Sequence, residues 1–299
     1  MFHGDEEMCF DFHHDNCKAS IAGKNAESDL YFLHQAQHMH ALAVWGGSQD
    51  LISAVLTLAN AAKTLDAKYH LQYGLGRRSQ AIWRAFRAIY FQIAPDRVLP
   101  LAMDDTTQAS NDLNAIYLNI RGALDNFAWA LQYSLVGTQV QKLHETQIGL
   151  FNLNFLKQPE MREVNVAVTP YKQWNTEFKE RRDPAAHRVP LSIIPSIQNQ
   201  NSLAELQEID SNINKKTVNA LQAANISQHQ QSQLLFAEVE ELHAQREKIG
   251  SFYPYFECDP SKPPIFLYPT LPADVGIYVV IARKMITILK AHFAESKSL

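Results

Sequence analysis

The sequence predicts an all-α protein, a helical bundle that carries a protruding helical insertion. Apolar residues recur at positions i, i+3, i+4 and i+7 over long stretches, as they do on one face of an α-helix. The period-two alternation that marks half-buried strands is nearly absent. With 299 residues and 46% apolar content, the chain is also long enough to bury a sizeable core.

The strongest helical pattern covers residues 111–131, and we expect this helix to lie at the centre of the core. Its apolar stripe is formed by Leu113, Ile116, Tyr117, Ile120, Leu124, Phe127 and Leu131. Arg121 and Asp125 lie one turn apart on the flank of that stripe, where they can pair at the boundary between the core and a cleft.

Four further helices are predicted around the central one. They cover about residues 48–66, 79–93, 171–178 and 273–294. Ser48 is a plausible N-cap for the first of them, and Pro95 stops the second. The short third helix leads into the segment that begins at Arg182, and the last helix should pack back on the core.

The same patterns divide the chain into three parts. These are a His-rich N-terminal segment over 1–45, a helical bundle formed by 46–196 with 270–299, and an insertion over 197–269. Residues 198–233 are rich in Asn and Gln with sparse apolar positions, which indicates a protruding helical hairpin. Repeated prolines over 252–272 exclude regular helix and predict an extended connector.

The net charge and the cysteine content limit the ligands that the protein can bind and the compartment in which it is expected. The formal charge is −4, so the whole chain is not drawn to polyanions, and contact with nucleic acid requires a local basic patch. Three scattered cysteines cannot form a disulfide framework, which predicts a reducing compartment, with the cytoplasm as the default. We expect no signal peptide, because the acidic start lacks a basic region before an apolar run, and no membrane segment.

The segment from Arg182 to His187 is the strongest candidate for chemistry. Asp183 is a natural N-cap and Pro184 a natural first helical residue, so a helix break is predicted at Asp183 with a short new helix after it. Arg182 would project from the break, and His187 would lie about one turn into the new helix. The two side chains would then converge on one small anion, and the N-terminus of the new helix would add positive potential.

This pair of residue types suits the cleavage of a phosphodiester. An arginine guanidinium is always charged and can clamp a phosphate, while a histidine imidazole titrates near neutrality. The alternative interpretation is structural: Arg182 pairs with a nearby glutamate, and His187 packs against the protein or caps a helix.

The run Arg182-Asp183-Pro184-Ala185-Ala186-His187 resembles the R-x4-6-H motif of the HEPN superfamily, including the polar residue that often follows the arginine. The surrounding helices resemble that family's bundle over roughly residues 50–195 and 270–295. The resemblance implies a metal-independent endoribonuclease without a cofactor, at a homodimer interface. Such proteins often serve in antiviral defence or toxin–antitoxin systems, which implies an antitoxin or regulatory partner.

The resemblance also assigns roles to individual residues. Arg182 would hold the scissile phosphate, His187 would act as general base or acid, and Asp183 would be the polar orienting residue. Arg181 gives an alternative register, Arg181-x5-His187, which the sequence leaves open. Because attack by a ribose 2′-hydroxyl needs one group to take a proton and another to give one, a single motif histidine per chain favours two copies across a twofold axis.

A basic surface would guide the RNA. The residues expected to contact RNA are Arg77, Arg78, Arg84, Arg87, Arg181 and Arg188. Arg77, Arg84 and Arg87 would share one side of a helix, and Trp83 lies close enough to offer a stacking surface. The alternative is that these arginines form an ordinary solvated face.

Two further hypotheses come from other parts of the chain. The N-terminal metal-capable side chains are His3, Cys9, Asp11, His13, His14, Asp15 and Cys17, with His34, His38 and His40 nearby. Since the cysteines lack CxxC spacing and no HExxH occurs, a solvated N-terminal segment is preferred and no metal ligand is assigned. The polar insertion, in turn, leaves open a catalytically inactive helical module that binds a protein or RNA partner.

Overall fold

The computed structural model describes residues 26–137, 143–225 and 229–295, and these ranges confirm the all-α fold class. The α-helices are α1 Ala26–Ala61, α2 Leu65–Tyr69, α3 Arg77–Gln92, α4 Met103–Leu131, α5 Leu153–Leu156, α6 Arg162–Val168, α7 Lys172–His187, α8 Gln200–Asn225, α9 His229–Arg246 and α10 Leu267–Glu295. π-Helical turns over His70–Gly76 and Gln132–Val136 follow α2 and α4. Short 3₁₀ turns cover Glu145–Gln147, Pro159–Met161 and Thr169–Tyr171.

Helix α4 is the central helix, as its periodicity predicted. Every residue of its predicted apolar stripe is buried. Burial of each such side chain is worth about 1.5–3 kcal/mol relative to exposure. Helix α3 packs along α4 and buries Ile82, Phe86 and Ile89. Helices α7 and α10 also contact α4, so α7, which carries the Arg182–His187 segment, is attached directly to the core.

Helix α1 begins much earlier than the sequence predicts. It passes through Ser48, whose hydroxyl donates a hydrogen bond to the carbonyl of Trp45 at 2.8 Å, so Ser48 is not an N-cap. Serine hydroxyls inside helices commonly bond back to the preceding turn. The cap lies further on: the Thr64 hydroxyl accepts from the backbone N–H of Ala67 at 3.1 Å and starts α2.

One stretch within α1, Leu33–Ala61, is long and apolar enough to cross a membrane by length and composition alone. In the bundle it packs against α3 and α10, and Leu51, Val55 and Leu58 on that face are buried. About 33% of its most apolar part is buried in the bundle, so a core position accounts for only part of the apolar composition.

The proline-rich connector is extended only in its first part, which contributes two strands to a small antiparallel sheet. Helix α10 begins at Leu267 and contains Pro269 and Pro272 in its first turns, so the predicted exclusion of helix up to residue 272 is wrong there. Strand β2, Tyr255–Glu257, lies between β1, Ser192–Ile193, and β3, Ile265–Phe266. Phe256 on β2 is fully buried, and its ring centroid lies 6.3 Å from that of Tyr117 on α4. The sheet thus closes one side of the core, and β1 holds the chain that leaves α7.

Helices α8 and α9 form the predicted protruding hairpin, which extends to Arg246 and is longer than the Asn/Gln-rich stretch. They pack mainly on each other, and the Arg246 guanidinium bonds the Asp210 carboxylate at 2.7 Å across the pair. At the base, Ile197 and Ser251 exchange two backbone hydrogen bonds of 2.7 and 3.0 Å. The hairpin is therefore joined to the bundle through a narrow base.

Candidate functional site

The Arg182–His187 motif lies inside one continuous helix, so the predicted helix break at Asp183 is wrong. Helix α7 runs through Asp183 and Pro184 and ends at His187. Proline cannot donate to the carbonyl four residues earlier, but that carbonyl belongs to the exposed Glu180, where solvent can supply a donor. The backbone N–H of Arg188 then closes the helix by donating to the Pro184 carbonyl at 2.9 Å.

His187 lies at the opposite end of a helix from the end that the sequence predicts. His187 is the last residue of α7, so it lies at a helix C-terminus and not near an N-terminus. Helix C-termini carry partial negative charge, which favours a cation and not an anion. Positive potential at this site must therefore come from side chains.

Arg182 and His187 do converge, as the sequence predicts. The Arg182 Nη1 atom lies 3.4 Å from His187 Nε2 and 3.0 Å from a carboxylate oxygen of Asp183. The first contact is a hydrogen bond when His187 is neutral with its proton on Nδ1, since Nε2 must accept. The Arg182 side chain is only 16% exposed, whereas Asp183 is 54% exposed and the His187 ring faces solvent.

Arg182 also joins a charged cluster between α7 and α4. On α4, Arg121 and Asp125 form the predicted ion pair, with Nη2 to Oδ1 at 3.1 Å. Burial raises the pKa of Asp125, while the nearby guanidinium groups of Arg121, Arg182 and Arg78 act to lower it. Asp125 is therefore ion-paired with Arg121 and lies within the electrostatic influence of two further arginines.

Arg78 belongs to this cluster and not to the exposed basic face that the sequence predicts. A methyl group at Gly122 of α4 would lie 2.3 Å from the Arg78 Cζ atom, so the guanidinium lies directly on the backbone of α4. Its Nη1 atom donates to the Asn119 amide oxygen at 3.3 Å. The absence of a side chain at Gly122 is the sequence signal for this close approach.

We use the term basic cluster for a group of six charged residues. The cations are Arg78, Arg121, Lys179 and Arg182, and the carboxylates are Asp125 and Asp183. Four cations against two carboxylates leave an excess of two positive charges, although the chain as a whole carries −4. A compact cationic site on an acidic protein attracts anions locally.

Two donors of the basic cluster are buried and unpaired within the described ranges. They are the Nε atoms of Arg121 and Arg182. A buried donor without an acceptor costs about 1–3 kcal/mol, so such donors in native proteins call for an explanation. An anion bound between the two arginines would supply acceptors for both.

Arg181, the alternative first residue of the motif, is part of the core. Its Nε and Nη2 atoms donate to the two carboxylate oxygens of Asp274 at 2.9 and 2.8 Å. The Tyr117 hydroxyl and the Trp174 indole N–H also bond this carboxylate, which is almost fully buried. Arg181 therefore anchors α7 to α10 and is removed from the set of expected RNA contacts.

The other expected RNA contacts lie on separate surfaces. Arg77, Arg84 and Arg87 are exposed on α3, as predicted, and the Arg77 and Arg87 guanidinium groups lie over the rings of Tyr73 and Phe91 at 5.0 and 5.6 Å. Arg188 is exposed just after α7.

Arg97, by contrast, is a structural residue. Its guanidinium donates to the backbone carbonyls of Gln92, Leu99 and Pro100 at 2.9 to 3.1 Å. It holds the turn between α3 and α4 and is not available to a ligand.

The histidine-rich region is only partly described. The N-terminal group from His3 to Cys17 lies outside the described residues. His38 bonds the Tyr90 hydroxyl at 3.0 Å and the Asp96 carboxylate at 3.2 Å. Among residues 33–137, 143–225 and 229–294, no group of three His, Cys, Asp or Glu side chains is arranged to hold a metal ion.

A cavity adjoins the basic cluster, where the sequence predicts a cleft beside Arg121 and Asp125. Its volume is about 360 Å³, and its walls are Arg121, Phe151, Asn152, Leu153 and Lys179. Lys179 precedes Arg182 by three residues on α7, so both side chains lie on neighbouring turns of one face. That spacing is the only sequence signal that connects Lys179 with the motif.

Comparison of the chain with protein-family models, with curated proteins and with solved structures finds no match. The resemblance to the HEPN superfamily therefore rests on the Arg182–His187 motif and the helical architecture around it.

Proposed function

We propose that the protein is a metal-independent endoribonuclease of the HEPN type, with Arg182 and His187 as its catalytic residues. The observation that carries the proposal is the 3.4 Å contact between these two side chains at the edge of the basic cluster. An arginine that can bind a phosphate and a histidine that can transfer a proton are within reach of the same anion.

The residues of the basic cluster and His187 have different roles in the proposed reaction. The scissile phosphate binds the Arg182 guanidinium and displaces its contact with His187, which frees the imidazole Nε2 for proton transfer. The ribose 2′-oxygen loses its proton, attacks phosphorus and forms a cyclic phosphate, while the 5′-oxygen leaves and takes up a proton. Asp183 orients Arg182 through their 3.0 Å ion pair, and Arg121 and Arg78 offset the charge of the phosphorane.

The proposal includes a homodimer in which two His187 side chains face one cleft. One chain supplies a single motif histidine, whereas the reaction needs both a base and an acid. The exposed ring of His187 at the end of α7 is accessible to a second copy. We place this activity in the cytoplasm, in defence or toxin–antitoxin systems with an antitoxin or regulatory partner.

The test is RNA cleavage by purified protein in EDTA. We expect the wild-type chain to cut single-stranded or looped RNA, and Arg182→Ala and His187→Ala each to abolish cutting. Matched controls are Arg162→Ala and His243→Ala, an exposed histidine on the hairpin, which should both retain activity. Absence of cleavage by the wild-type chain under every condition would remove the proposal.

A second candidate function is partner binding through the hairpin of α8 and α9, independent of catalysis. It is favoured by exposed apolar side chains on both helices, namely Leu203, Val218, Leu221, Leu234 and Phe236. Apolar groups gathered on a protruding element are typical of a protein interface. If a chain without the hairpin retains every partner that co-purifies with the wild-type protein, this candidate is rejected.

A further inference from the structure

The cavity beside the basic cluster has the size of a small ligand site. Its volume of about 360 Å³ lies near the lower end of the range for ligand pockets, about 300–1,000 Å³. Among its lining residues, Arg121 and Lys179 supply positive charge, and Phe151 and Leu153 supply apolar surface. A ligand that complements all four side chains has a planar group with apolar faces and also carries a negatively charged group.

The Phe151 ring is held in place by packing. It is half-buried against the core, and its centroid lies 6.4 Å from the Trp174 ring of α7. The neighbouring Asn152 is also fixed, since its amide oxygen accepts from the backbone N–H of Asn154 at 2.9 Å. An aromatic ring fixed in a cationic cavity is a stacking surface for a base, because every nucleobase has a π-face.

The cavity is linked to the proposed catalytic pair through Arg121 and Lys179, although neither Arg182 nor His187 lines it. Arg121 lines the cavity and also pairs with Asp125, which is near Arg182. Lys179 lies about 4.5 Å before Arg182 along the axis of α7, as three residues of helix rise. A nucleotide next to the phosphate on Arg182 can therefore place its base in the cavity.

We propose that this cavity is a base-binding subsite, in which Phe151 stacks on a nucleobase adjoining the scissile phosphate while Lys179 and Arg121 hold the neighbouring backbone. The inference rests on the proposed function for the identity of the substrate as RNA. A site for inorganic phosphate alone would not need the apolar wall of Phe151 and Leu153. The subsite explains how a chain of net negative charge selects single-stranded RNA, whose bases are free to leave the stack.

The experiment measures RNA binding and not cleavage, so that failure of the proposed subsite can be distinguished from failure of the proposed endoribonuclease activity. The protein is the full chain with His187→Ala, in EDTA, and the probes are fluorescent single-stranded RNAs of about ten nucleotides, with and without bases at the central positions. Phe151→Leu removes the stacking face but keeps an apolar side chain, and Phe151→Tyr restores the ring. The matched control is Phe266→Leu on β3, an exposed phenylalanine outside both proposed sites.

We expect Phe151→Leu to weaken binding of the base-bearing RNA by about 5-fold or more and to leave binding of the abasic RNA unchanged. Phe151→Tyr and Phe266→Leu should bind as the parent chain does. Equal binding by Phe151→Leu and its parent, or an equal loss for both RNAs, would overturn the subsite. A chain that shows the Phe151 dependence but never cleaves RNA would overturn the proposed catalysis only.

A second measurement does not depend on the folding of any Phe151 variant. The same His187→Ala chain is photo-crosslinked to RNA that carries a halogenated uridine at one central position, and the adduct is mapped by mass spectrometry. We expect the adduct on the peptide that contains Phe151. A mapped adduct elsewhere, or no adduct with RNA that is bound, would contradict the subsite.

Discussion

Arg181 and Arg182 are adjacent in sequence but serve different purposes, because they point about 100° apart around α7. Arg181 faces inward and makes a bidentate pair with the buried Asp274 carboxylate. Arg182 faces the boundary with α4 and reaches His187 and Asp183. Arg181 thus fixes the helix on the core, whereas Arg182 lies at the boundary with α4, where we propose that it binds phosphate.

Replacing Arg181 by methionine tests its structural role. The change leaves the Asp274 charge buried without its main partner, so we expect the free energy of unfolding in urea to fall by about 3–5 kcal/mol. Arg84→Met on the exposed face of α3 is the control and should change it by less than about 0.5 kcal/mol. Undiminished stability with lost RNA binding would instead assign Arg181 to the ligand.

Gly122→Ala tests whether Arg78 acts in the cluster. The added methyl group displaces the Arg78 guanidinium, while alanine favours the helix by up to about 1 kcal/mol over glycine. We expect kcat/KM for RNA cleavage to fall about tenfold without loss of stability in urea. The control is Gly46→Ala, a helical glycine with open space around it. Activity that is equal in the two variants would exclude Arg78 from the reaction.

The sequence predicted part of this site and missed the rest for a physical reason. The pair of Arg121 with Asp125 follows from its i, i+4 spacing on α4. The meeting of Arg182 with His187 was predicted from a helix break that the structure lacks; residues five apart point about 140° apart on a continuous helix, so this contact depends on the reach of the two side chains. The inward position of Arg181 and the placement of Arg78 on α4 depend on how whole helices are rotated against each other. That rotation is set by the packing of many apolar side chains, so no short sequence motif predicts it.

At the scale of elements, α7 shows why a local signal for a helix break failed. Asp183 before Pro184 favours a helix start, but tertiary contacts hold the helix on both sides of this pair. Phe178 is fully buried before it, and after it the Leu191 backbone N–H and carbonyl both bond the Asn114 amide at 2.9 and 2.8 Å. Since proline near a helix end removes only one hydrogen bond, these contacts outweigh the local preference.

The hairpin of α8 and α9 should be dispensable for the bundle. Its base is closed by the backbone bonds between Ile197 and Ser251, so a short glycine linker can replace residues 199–249. We expect the shortened chain to unfold cooperatively, with a midpoint in thermal circular dichroism within a few degrees of the wild-type value, and to keep cleaving RNA. Loss of a cooperative transition would show that the hairpin is part of the core.

Composition predicted that the hairpin protrudes but not where it ends. Sparse apolar positions over 198–233 indicate little burial, and the structure shows helices that mainly pack on each other. The continuation to Arg246 was missed because the Asn/Gln-rich composition ends near residue 233, although Leu235, Val239 and Leu242 recur at helical spacing beyond it. The early start of helix α1 was also missed, because its apolar residues are spread around the helix and do not form one apolar face.

At the scale of the whole molecule, the proposed dimer makes a quantitative prediction. Wild-type and His187→Ala chains are co-refolded in varied ratios, and the rate of RNA cleavage is measured in each mixture. If both His187 side chains are needed in one cleft, the rate falls as the square of the wild-type fraction. A linear fall would show that each chain acts alone.

The chemistry of the cut ends tests the central claim most directly. RNA is incubated with the protein in EDTA, and the product termini are identified by mass spectrometry. Attack by the neighbouring 2′-hydroxyl predicts 2′,3′-cyclic phosphate and 5′-hydroxyl ends, and no cut at a position where the nucleotide before the scissile phosphate is replaced by its 2′-deoxy form. Products with 5′-phosphate ends, or undiminished cutting at the 2′-deoxy position, would contradict the assignment of Arg182 and His187 to this reaction.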